Sequence, residues 1–167
     1  MPATYEPIAT TTTTSASTSI EFASISGNYT DLVLVLNIKA VSTTTNQWVN
    51  LRLNGDAASN YSQTTMSASG SARSSFRYSS RSDGIFIGDT NSNDYALIIC
   101  NIQNYSNTTT HKTVLSRSTD ASDFLKTIVG LWRKTPEAIT TINLQIESSA
   151  NNIASGTTAT LYGIKAA

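Results

Sequence analysis

Apolar side chains recur at every second position along most of the chain, and residues that favour turns separate the runs. That period of two is the mark of strands with one face buried. Ile20, Phe22 and then Ile25 define a first strand, closed by Ser26-Gly27-Asn28. Asp31 opens the next, in which Leu32, Leu34, Leu36, Ile38 and Ala40 face one way while Val33 and Val35 face the other, as in a central strand covered on both sides near its start. Trp48, Val49, Leu51 and Leu53 follow, and Asn54-Gly55-Asp56 supplies residues that tolerate positive φ in a tight turn. Tyr61 to Met66 pairs next, whereas Ser67 to Ser75 has no apolar rhythm and reads as an exposed loop before Phe76 and Tyr78 resume the alternation. Ile85-Phe86-Ile87 is a short strand, and the polar cluster Asp89 to Asp94 reads as a hairpin loop leading into the apolar run Tyr95 to Ile102. Thr113 to Leu115, Phe124 to Trp132, Ile139 to Ile146 and Thr158 to Ile164 complete the series.

Helical alternatives are weak, because β-branched Thr, Val and Ile crowd the candidate segments; only a short turn near Ala121 to Phe124 competes. Roughly ten strands separated by turns give an all-β, antiparallel, jelly-roll-like β-sandwich. No boundary divides the 167 residues, so one domain over 1–167 is expected. The hydroxyl tract Thr10 to Ser19 makes 1–19 an N-terminal arm or edge segment.

Composition narrows the function. Charged residues are only 13% of the chain, with 11 Lys plus Arg against 11 Asp plus Glu. Such a neutral surface has no net field to attract nucleic acid or an acidic membrane face. The longest aliphatic stretch, Leu32 to Leu36, is far short of the ~20 residues that span a bilayer. Met1 to Glu6 carries neither a basic nor an apolar export signal, so folding in the cytoplasm is expected.

Candidate chemistry is sparse. Cys100 lies inside an apolar run and reads as a buried hydrophobe, and the single histidine, His111, sits in a polar segment and reads as solvated. No serine lies in a nucleophile elbow. Asp89 to Asp94 resembles the opening of a calcium loop, but position six is Asp94 instead of glycine and position twelve is Cys100 instead of glutamate, so a metal is not expected. Asp120 and Asp123 read as turn caps rather than an acid/base pair. Asn28, Asn60 and Asn104 open formal glycosylation sequons, yet each fits a turn whose tyrosine anchors the following edge. Neither catalysis nor a cofactor is expected. Arg73, Arg77 and Arg81, spaced by four, share one face of a strand or helix; they read first as part of a solvated loop, and as a candidate interface patch for acidic polysaccharide or a neighbouring subunit in the alternative.

Several segments carry a family resemblance: Tyr5-Glu6-Pro7-Ile8-Ala9-Thr10-Thr11, Tyr29-Thr30-Asp31-Leu32, Leu51 to Asp56 with Asn60-Tyr61-Ser62, Asn104 to Thr110, Val129 to Arg133 and Leu161 to Ala167. Together they resemble tailed-bacteriophage virion proteins of the decoration and tail-fibre-like type over nearly the whole chain. The resemblance implies a β-sandwich subunit in the virion, assembled in the bacterial cytoplasm as a homo-oligomer, with a trimer expected. It brings no active site. The leading expectation is a capsid decoration or cement protein that contacts other virion proteins such as the major capsid protein, with Tyr5 and Ile8 on a docking arm. The alternative is a tail-fibre or head-fibre adhesion module that binds host surface glycan through Trp48, Tyr61, Tyr78 or Arg77.

Overall fold

In a computed structural model, residues 4–41, 46–119, 124–147 and 152–165 are described. They form twelve strands and no helix, and hence no helix long and apolar enough to cross a membrane. In chain order the strands are β1 (Tyr5–Thr12), β2 (Ser19–Phe22), β3 (Asp31–Ile38), β4 (Gln47–Leu53), β5 (Tyr61–Ser69), β6 (Ala72–Arg81), β7 (Ile85–Thr90), β8 (Ala96–Gln103), β9 (Lys112–Thr119), β10 (Phe124–Trp132), β11 (Ile142–Ile146) and β12 (Thr158–Ile164). Eight form one sheet in the order β1-β12-β3-β8-β9-β10-β5-β6, and four form a second in the order β2-β11-β4-β7. Every ladder is antiparallel.

The two sheets close on each other through the alternating positions read from the sequence. Leu32, Leu34, Leu36 and Ile38 of β3, with Ile98 and Ile102 of β8, meet Val49, Leu51 and Leu53 of β4 and Ile142 and Leu144 of β11, all of them buried. Each such side chain contributes about 1.5–3 kcal/mol when fully removed from water. This is the expected jelly-roll-like sandwich, and β3 lies in the middle of its sheet with Val33 buried on the opposite face.

Four expectations need correction. The strand count rises to twelve because β1 is a full edge strand paired along β12, with an irregularity between Pro7 and Ala9 that singles out Ile8. The segment is therefore a paired edge rather than a detached arm; Tyr5 is exposed, while Ile8 packs against the core. Secondly, Ser67 to Ser75 is no loop: β5 runs to Ser69, Gly70 turns the chain at positive φ, and β6 begins at Ala72. Small hydroxyl side chains on the solvated part of a hairpin leave no apolar period to read. Thirdly, Asp89 to Asp94 joins β7 in the small sheet to β8 in the large one, so it is a crossover between sheets and not a hairpin. Asn54 and Gly55 do take positive φ as expected, but the turn likewise passes the chain from the small sheet to β5 of the large one.

Fourthly, the three arginines do not share a face. Tyr61 and Gln63 of β5 pair with Arg81 and Tyr78 of β6, so β6 carries one extra residue there. A bulge of one residue flips everything beyond it to the other side. Arg81 therefore turns inward with Phe76 and Tyr78, while Arg73 and Arg77 stay on the outside.

Candidate functional site

Where β8, β9, β10 and β5 pass β7, the large sheet covers the edge of the small one, and all six residues of β7 are buried. A buried strand edge needs partners for its backbone. Side chains provide them: Phe86 N–H donates to Gln63 Oε1 at 2.8 Å, and Ser116 Oγ donates to the Ile87 carbonyl at 2.6 Å. Lys126 reaches inward to form an ion pair with Asp89. Asp89, which opens the segment resembling a calcium loop, is a buried counter-ion, and among the described residues no group of three or more His, Cys, Asp or Glu is placed to hold a metal.

The aromatic residues proposed for glycan contact divide. Tyr61 has no exposure at all; it stacks on Trp132 at 6.4 Å, and its hydroxyl lies against the backbone at Leu53 and Asp56, so it cannot touch a ligand. Burial pushes its phenol up to about 12. Trp48 and Tyr78 do come together, with ring centroids 5.5 Å apart, but the cluster serves itself. Phe76 stacks on Trp48 at 6.1 Å, Phe86 approaches it at 4.9 Å, and the Arg81 guanidinium lies 5.1 Å from the Trp48 centroid and 5.2 Å from that of Tyr78. Arg81 also donates to Asn50 Oδ1, the Gly84 carbonyl and Glu147 Oε1. It is a clamp between sheets, not part of an interface patch.

Cys100 is enclosed, and burial pushes its thiol up to about 12, which keeps it protonated and unreactive. His111 is exposed and its Nδ1 lies 3.1 Å from the Lys134 carbonyl. Asp120 and Asp123 lie outside the described residues. Of the sequon asparagines, Asn104 takes positive φ and Asn60 donates to Asp56, consistent with turn roles, and both following tyrosines, Tyr61 and Tyr105, are buried anchors.

The outward face of the large sheet is where accessible surface and unusual chemistry coincide. Strand registers place two rows across β8, β9, β10, β5 and β6: Leu97, Thr119, Leu125, Ala68 and Arg73 in one, and Ile99, Arg117, Thr127, Met66 and Ser75 in the other. These ten residues form most of the lining of an open groove of about 870 Å³. A third row, Asn101, Leu115, Val129, Thr64 and Arg77, runs alongside. Leu97, Val129, Met66 and Leu125 are 43% to 62% exposed. Among the described residues Arg73, Arg77 and Arg117 have no ion pair, and no carboxylate lies in the three rows.

Sequence reasoning found Arg73 and Arg77 but missed Met66, Leu97, Ile99, Arg117 and Leu125. The available signal was that the Tyr95 to Ile102 and Phe124 to Trp132 runs are apolar at both parities, which marks a sheet with apolar residues on each face.

No family model and no curated protein matches the chain. Among solved structures it is similar to galectin LEC-6 of Caenorhabditis elegans, at 11% identity and a TM-score of 0.36 over 94% of this chain and 96% of that one. It is also similar to an alginate lyase variant in complex with an alginate tetrasaccharide, at 10% identity and a TM-score of 0.27 over 94% of this chain and 79% of that one. Both are distant in sequence and in shape.

Proposed function

We propose that the chain is a non-enzymatic structural subunit of a tailed-phage virion, a decoration or cement protein that grips its neighbours through the outer face of the eight-stranded sheet. One observation supports docking: four of the large exposed apolar side chains, Leu97, Val129, Met66 and Leu125, gather on that one face beside arginines without acidic partners among the described residues. Exposed apolar side chains gathered on one face and rimmed by polar residues are a mark of interaction surfaces. The virion setting, the trimer and the contact with the major capsid protein rest on the sequence resemblance alone. The mechanism is mass action: a subunit that binds the assembled shell and not its separated pieces stabilises the shell, and symmetry multiplies modest contacts into avidity.

Particles lacking the chain test this reading. They are expected to leak their genome on heating or osmotic shock, and added wild-type protein is expected to restore them while a Leu125→Asp variant is not. Intact particles that fail to adsorb to cells would instead favour the adhesion alternative, in which host glycan is the target.

A further inference from the structure

The groove has a length, a charge pattern and an apolar floor, and together these select its occupant. We infer that it holds an extended segment of a neighbouring protein, laid across the strands, with two carboxylates four residues apart reaching Arg73 and Arg117 and an apolar side chain between them seated on Leu125 and Met66. The inference rests on the docking reading given above.

Neighbouring strands lie about 4.8 Å apart, so five strands span about 19 Å, the length of about six extended residues. Arg117 on β9 and Arg73 on β6 are three strand spacings and one row apart, about 16 Å between backbones, which four extended residues of about 13.5 Å cover with the reach of the two arginine side chains. Positions i, i+2 and i+4 of an extended segment point the same way. An acidic, apolar, acidic triplet at that spacing therefore meets arginine, floor and arginine in turn. Guanidinium groups suit carboxylates because they offer paired donors in a fixed plane.

The other occupants fit less well. A second copy facing this one would bring the same arginine-bearing rows together, with no acid among the described residues of those rows to receive them. An alkyl chain would have to pass Arg117, which stands in the floor and not at its end. Nucleic acid finds no aromatic side chain in the three rows on which to stack a base.

The test uses the full-length protein and a fluorescent peptide of about ten residues with Asp at two positions four apart and Leu at alternate positions, followed by anisotropy. Wild-type protein should bind it at least about tenfold more tightly than the same peptide with Lys in place of Asp, since exposed charge pairs and like-charge contacts each change affinity by a few fold. Arg73→Glu/Arg117→Glu should reverse that preference, and Leu125→Ser should weaken both peptides about fivefold. Unchanged melting temperatures show that the variants fold. Equal binding of both peptides, binding of neither, tighter binding of dodecanoate than of the acidic peptide, or a concentration-dependent dimer abolished by the double variant would each overturn the inference. Particles that take up the double variant as fully as wild type would sink the groove assignment and leave the structural role standing. Tight peptide binding by a protein that never attaches to particles would do the reverse.

Discussion

The strands from β8 to β5 carry opposite chemistry on their two faces, and the usual arrangement is partly inverted. Toward the core they bury Gln63, Thr65, Ser116 and Ser118 and turn the half-buried Lys126 toward β7, while toward the outside they expose Met66, Leu97, Leu125 and Val129. Three of these polar groups serve β7, a buried sheet edge: Gln63 and Ser116 each take one of its backbone hydrogen bonds, and Lys126 pairs with Asp89. The exposed apolar groups satisfy nothing in the isolated chain. One face is thus explained by what it touches, and the other calls for a partner.

The comparison breaks most visibly at the buried ion pair. Asp89→Ala leaves the Lys126 cation inside without its carboxylate and should cost about 3–5 kcal/mol in urea unfolding, whereas Asp89→Leu/Lys126→Met should recover most of that loss, because apolar pairs replace buried ion pairs at little cost. Next comes packing on the same face. Gly130 lies under Ile85 so closely that an added Cβ would fall 2.5 Å from Ile85 Cγ2, and Gly130→Val should cost about 1–3 kcal/mol by overpacking.

Asp56 sharpens the contrast through pH. Its carboxylate accepts from Trp132 Nε1 at 2.7 Å, from Asn60 Nδ2 and from Ala58 N–H. Burial opposes its ionisation, but these hydrogen bonds outweigh it and hold the carboxyl below its ordinary value of 3.8. A depressed folded value means that the stabilisation is complete above the unfolded pKa and fades as pH falls through the folded one. Asp56→Asn should cost about 1–2 kcal/mol at neutral pH and flatten the acid limb of the stability profile. At the small end, Leu125→Ser on the outer face should leave unfolding within about 0.5 kcal/mol of wild type.

The same inversion explains what the sequence made legible. Alternation at Leu32 to Ile38 and Ile142 to Ile146 located strands and core, because there the apolar parity is the buried one. Alternation reports a period and is silent on which face the fold encloses, so Met66 and Leu125 were not separable from core residues, nor Tyr61 from an exposed ring. Arg81 was misplaced for a related reason: one bulge residue, which no local pattern announces, exchanges the faces of β6. Residues 1–19 were legible only as an arm or edge segment, because the Thr-rich text does not separate the two until β12 arrives from the far end of the chain to pair with β1.

Met66 offers the most direct test of the outer face as the working surface. The chain has two methionines, Met1 and Met66, and Met66 stands 58% exposed in the groove. Peroxide should oxidise its thioether readily in the free protein and at least about tenfold more slowly in intact particles, as peptide mass spectrometry would read. Equal oxidation in both states would mean that the groove faces solvent after assembly and would contradict the account.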